Sequence, residues 1–98
     1  MTLDELKPIV IPFCEQFAVR RLDVFGSVAR AEATSTRDVD LVVEFKDPGR
    51  GLSRRFFGFL HSLEDNLGCR VDLLTLDGLR NPYFRCRVLA ERILINEG

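Results

Sequence analysis

Asp38-Val39-Asp40-Leu41-Val42-Val43-Glu44-Phe45 is the clearest strand in the chain. Val39, Leu41, Val43 and Phe45 alternate with Asp38, Asp40, Val42 and Glu44, and successive side chains of a strand leave opposite faces. One face is therefore apolar and should lie against helices. The other opens with two carboxylates two residues apart, so both leave on the same side.

The segments around this strand extend the pattern. Upstream, residues 19–25 read as a strand with Leu22 and Val24 flanked by charged residues, stopping at Gly26-Ser27. A short helical turn is expected over 28–32, then a polar loop, Thr34-Ser35-Thr36-Arg37. At the N-terminus Thr2 and Glu5 form a capping box. Leu6, Val10, Phe13 and Phe17 follow at helical spacing. Pro8 and Pro12 each remove a backbone donor, so a kink or a restart near Pro8 is expected.

Downstream, Asp47-Pro48-Gly49-Arg50-Gly51 is a turn-rich loop. Ser53 is placed to cap a helix ending near Leu67, with Phe56, Leu60, Leu63 and Leu67 as its stripe. Phe57 and Phe59 widen that stripe beyond one core face. Deep burial is the favoured expectation and a partner-facing Phe the alternative. Gly68 fits the helix end. Residues 70–75 form a third strand, with Val71 and Leu73 on one face and Asp72 on the other. Pro82 suits the opening of a helix to about Glu91, and 92–95 resembles a last strand. Without linker, repeat or low-complexity tract, the 98 residues read as one domain over 1–98. Alternating helices and strands give an α/β (α+β) sandwich, helices packed on a small sheet.

Bulk properties exclude several classes. Net charge is −1, whereas duplex DNA binding is driven by phosphate neutralisation and needs a basic excess. Basic clusters at Arg50, Arg54 and Arg55, and at Arg80, Arg85 and Arg87, read as solvated surface, with triphosphate or partner contacts as the alternative. Three cysteines, Cys14, Cys69 and Cys86, are odd in number and widely spaced. That argues against a disulfide frame or zinc site and for small buried residues in a reducing compartment. The acidic N-terminus does not resemble a signal peptide. No stretch approaches a membrane span. A cytoplasmic protein is expected.

Asp38, Asp40 and Asp72 carry the chemistry. If their strands are neighbours, three carboxylates converge, and like charges so close push at least one pKa up. A cation would relieve that repulsion. Hard oxygen donors select magnesium or manganese over zinc, and shared carboxylates can hold two ions about 4 Å apart. Alternate acids also describe the wet face of a half-buried sheet, which is how Glu44 is read. Gly26-Ser27, after a strand and before a helical turn, lets a phosphate approach the backbone. Arg30 could add a forked donor. The Lys of a Walker loop is missing.

Together these elements resemble the DNA polymerase beta-like nucleotidyltransferase superfamily, and more narrowly the MNT family of minimal nucleotidyltransferases. Phe25-Gly26-Ser27-Val28-Ala29-Arg30-Ala31-Glu32, the stretch Arg37 to Phe45, and Val71-Asp72-Leu73-Leu74-Thr75 carry the match over nearly the whole chain. The chain departs at Ala31, where the family usually has Gly, and at Arg37, where it usually has Ser. The resemblance implies a nucleotidyltransferase-like fold with a small mixed sheet. It implies that Asp38 and Asp40 bind two magnesium ions (manganese is a substitute). Asp72 then binds one metal and helps take the acceptor's proton, while Gly26 and Ser27 hold the triphosphate of ATP.

Proteins of this family are commonly encoded beside a HEPN toxin. The implied reaction is transfer of AMP to a Tyr of that toxin, with the chain as antitoxin in a homo- or hetero-oligomer. Two alternatives stand beside this: an antitoxin that neutralises its partner by contact alone, and a small-molecule (antibiotic) nucleotidyltransferase, for whose acceptor 98 residues leave little room. His61 lies mid-helix without partner acids at metal spacing and is given no catalytic role, Tyr83 is read as packing or surface, and Asp23 as structural.

Overall fold

The computed structural model describes residues 2–30 and 38–98, apart from the side chain of Ser27. Its elements are α1 (Leu3–Gln16), β1 (Val19–Phe25), α2 (Gly26–Ala29), β2 (Val39–Phe45), α3 (Leu52–Leu67), β3 (Val71–Thr75), α4 (Pro82–Glu91) and β4 (Ile93–Glu97). The four strands form one mixed sheet in the order β3-β2-β1-β4. β1 runs antiparallel to β2 and β4, and β2 runs parallel to β3. The α+β architecture with a mixed sheet matches the expectation.

The apolar face of β2 behaves as its alternation requires. Val39, Leu41, Val43 and Phe45 pack with Leu22 and Val24 of β1, Val71 and Leu73 of β3, Leu6, Val10 and Cys14 of α1, and Phe59 and Leu63 of α3. The opposite face is not simply solvated. Phe25, Val42, Leu79 and Val88 form a second, smaller cluster that seats α4 there. This covers the middle of that face and leaves the starts of β2 and β3 open.

Several local expectations need correcting. α1 does not restart at Pro8; it runs unbroken through Pro8 and Pro12. Asp4, Pro8 and Pro12 all lie on its exposed side, where carbonyls that lose a donor can turn to water. Its buried stripe is Leu6, Val10 and Cys14, with Phe13 and Phe17 only partly covered. Thr2 caps this helix as predicted, accepting from Glu5 N at 3.3 Å. Ser53 does not cap α3. Gly51, in left-handed geometry, precedes the first helical residue, Leu52. α2 starts at Gly26, two residues before the expected turn. The expected polar loop, Ala31 and Arg37 lie outside the described residues.

α3 is not deeply buried: Phe59 is fully enclosed, while Phe57 is 54% exposed. Of the cysteines only Cys14 is fully buried, and Cys86 is exposed. Burial pushes the Cys14 thiol up to about 11, which suits an inert packing role. Two arginines of the basic clusters hold the backbone together. Arg55 donates to the carbonyls of Phe17, Ala18, Lys46, Asp47 and Arg50, and Arg85 donates to Leu76 O at 2.6 Å. No helix among the described residues is long and apolar enough to cross a membrane.

Candidate active site

Asp40 and Asp72 are direct register partners on the parallel strands β2 and β3. Neighbouring strands lie about 4.8 Å apart and in-register side chains leave the same face, so the two carboxylates stand side by side. Asp38, just before β2, shares their face by the two-residue period. The three acids line one recess of about 340 Å³ together with Arg70 and Val71. Its floor is the sheet end that α4 leaves uncovered. Asp38 and Asp72 are exposed and Asp40 is half-buried.

This arrangement has an electrostatic consequence. Asp40 is held above the ordinary carboxylate range, first by burial and then by the charges of Asp72 and Asp38, with Arg30 opposing them. Excess negative charge in a partly desolvated recess favours a cation. Among the described residues the acids are not already drawn into a metal-ligating cluster; they line the recess rather than meeting at one point. Their donor set fits a hard divalent ion nonetheless, being made only of carboxylate oxygens. A bound ion would have to draw Asp38 and Asp72 inward.

Gly26 connects the turn to this recess. Its φ is +70°, and a Cβ there would collide with Asp40 Oδ2 and lie 3.2 Å from Asp40 Cγ. Phe25, immediately before it, is the register partner of Asp40. The turn is thus packed against the central carboxylate, and only a residue without a side chain permits that approach. Ser27 follows in the backbone. Arg30 closes α2 and pairs through Nη1 with Glu91 Oε2 at 3.2 Å.

Three residues were missed by sequence reading, one in this recess and two that contact the neighbouring turn at residues 25–30. Arg70 precedes Asp72 by two positions and lines the same recess; the alternation that placed Asp38 with Asp40 would have placed it too. Phe84 packs edge-on against Phe25, with ring centroids 6.3 Å apart. Glu91 meets Arg30 across 61 residues. These last two contacts depend on where α4 sits, and no local pattern encodes that. His61 and Tyr83 lie on the surface, Tyr83 at 82% exposure. Asp23 is structural, as expected: it is buried and paired with Arg21 at 2.9 Å and Arg92 at 3.4 Å.

Comparison with known proteins gives a consistent picture. The nucleotidyltransferase domain family model matches residues 7–95. A candidate protein adenylyltransferase of Methanocaldococcus jannaschii, MJ0435, is 37% identical over 94 residues, covering 95% of this chain and 97% of that protein. A solved structure described as a candidate minimal nucleotidyltransferase superposes with a TM-score of 0.76 at 40% identity, covering 95% of each chain. The fold is also that of a chain in the complex of a tri-AMPylated Shewanella oneidensis HEPN toxin with an MNT antitoxin. That chain matches with a TM-score of 0.67 at 16% identity, over 98% of this chain and 73% of that one. With the family model spanning most of the chain and these relatives spanning nearly all of it, the protein belongs to the nucleotidyltransferase domain family, among its minimal nucleotidyltransferases.

Proposed function

We propose that the chain acts as one nucleotidyltransferase domain that transfers AMP from ATP to a hydroxyl, a Tyr of a partner HEPN toxin, and so serves as the antitoxin of the pair. The observation that carries this reading is the register of Asp40 with Asp72 in a recess shared with Asp38 and abutted by Gly26. The names of the M. jannaschii relative and of the HEPN–MNT complex support a protein acceptor.

In this reading Asp38, Asp40 and Asp72 would hold magnesium or manganese, which when bound neutralises triphosphate charge and activates the attacking oxygen. Gly26 and Ser27 bring backbone amides to the phosphates, and Arg30 adds a guanidinium. The acceptor oxygen bonds to the α-phosphorus, the bond from that phosphorus to the bridging oxygen breaks, and pyrophosphate leaves. Asp72 receives the hydroxyl proton. The protein's contribution is positioning and charge neutralisation.

The test is incubation of the chain with ATP labelled at the α-phosphate, magnesium and a HEPN protein encoded beside it. Label should appear on a Tyr of the HEPN protein and be lost with Asp38→Ala. Absence of label, with wild type and variant alike, would overturn the proposal. An antitoxin working by contact alone is the second reading, favoured by Phe57, 54% exposed on α3 near exposed Leu52. In that case Asp40→Ala would still neutralise the toxin.

A further inference from the structure

Glu91 lies at the C-terminal end of α4, away from the acidic recess, yet it reaches into the phosphate turn. Its Oε2 accepts from Arg30 Nη1 at 3.2 Å. Adjacent contacts fix the helix end that presents it. The next residue, Arg92, pairs with Asp23 Oδ2 of β1 at 3.4 Å. Asp23 is 1% exposed and is also held by Arg21 at 2.9 Å. One turn before Glu91, Val88 is buried against Phe25 and Val42. Phe84, Val88 and Glu91 follow the i, i+4, i+7 spacing of one helix face, and that face meets Phe25, the second core and Arg30 in turn.

Arg30 is anchored quite differently. It follows a helix of only four residues, its side chain is 41% exposed, and ordering a long arginine side chain costs rotamer entropy. It caps the short helix that begins at Gly26, and Gly26 is packed against Asp40 in the recess. We infer that Glu91 is a positioning residue that holds Arg30 aimed at the phosphates of the bound nucleotide. The inference rests on the nucleotide-binding reading above. An added restraint on a long donor before the ligand arrives removes part of the ordering cost of binding. The effect should fall on nucleotide affinity and KM rather than on kcat.

The experiment is a calorimetric titration of ATP in magnesium, with KM and kcat, on wild type, Glu91→Gln, Arg30→Gln and the double variant, each checked by thermal melting. Glu91→Gln preserves shape and removes the charge. It should weaken ATP binding by up to about 10-fold, the upper range expected for loosening one long side chain, and leave kcat within about twofold. In the Arg30→Gln background it should change affinity no further, because a residue acting through another is non-additive with it. Unchanged affinity in Glu91→Gln, or equal losses in both backgrounds, would overturn the inference. Tighter binding would overturn it too, since Glu91 would then compete with phosphate. A wild type that binds no ATP would defeat the nucleotide reading itself, and this inference with it.

Discussion

A single added methyl at Gly26 tests how the turn and the carboxylate are joined. Gly26 has φ +70°, and a Cβ there would meet Asp40 Oδ2. Gly51 has φ +54° with no atom within 4 Å of its Cβ position. Gly51→Ala therefore incurs only the strain of a left-handed alanine, about 1–2 kcal/mol. Gly26→Ala incurs that strain and also forces Asp40 off its rotamer, about 0.5–1.5 kcal/mol more. The sum is about 1.5–3.5 kcal/mol, and each kcal/mol shifts Tm by about 4–8 °C in a domain of this size. Melting should fall by roughly 10–20 °C for Gly26→Ala and about half that for Gly51→Ala. The catalytic effect should separate further. Displacing Asp40 by about 1 Å should lower AMP transfer about 100-fold, while Gly51→Ala should transfer at the wild-type rate. Thermal and urea unfolding would be paired with α-labelled ATP transfer at a temperature where both variants are folded. If Gly26→Ala loses no more stability than Gly51→Ala and retains its activity, the close approach of turn and carboxylate is wrong.

Other consequences follow from single contacts. Asp40 is raised above its ordinary value by burial and by Asp72 and Asp38, so the stability its protonated form contributes is complete below the unfolded carboxylate pKa and is lost as pH rises through the folded one. In chelator-treated buffer Asp40→Asn should therefore be more stable than wild type at pH 7, by less than about 1 kcal/mol after solvent screening, and the advantage should vanish below about pH 4. Equal urea midpoints at both pH values would refute this. Arg55→Lys cannot reproduce a fork serving five carbonyls. It should destabilise by about 1–3 kcal/mol in urea while transfer per folded molecule stays unchanged. Phe59→Ala, at a fully buried site flanked by Phe17 and Phe45, should lose about 3–5 kcal/mol; a loss below about 1 kcal/mol would contradict its central place in the core.

Strand alternation is a local signal, and it made β1, β2 and β3 legible together with the facing of Asp38, Asp40 and Asp72. The cap at Thr2 was equally local, and its Glu5 N to Thr2 Oγ1 bond is present. Readings failed where tertiary placement decides the outcome. Pro8 and Pro12 stay within α1 because both fall on its wet side, which sequence spacing shows only once the buried face is known. Phe57 and Phe59 are the same residue type, yet two positions of a helix lie about 200° apart, and only the face of α3 that carries Phe59 packs into the core. Arg55 and Arg85 resembled surface charge because their acceptors are carbonyls, which carry no residue signature. The Arg30–Glu91 pair spans 61 residues and depends wholly on α4 crossing the second face of the sheet.

The central claim is that Asp38, Asp40 and Asp72 form one divalent-cation site beside Gly26. Paramagnetic broadening of amide resonances by substoichiometric manganese, in the presence of ATP, tests it most directly. Broadening should centre on residues 25–27, 38–40 and 71–73 and disappear in Asp40→Asn. Broadening centred elsewhere, or unchanged by that substitution, would contradict it.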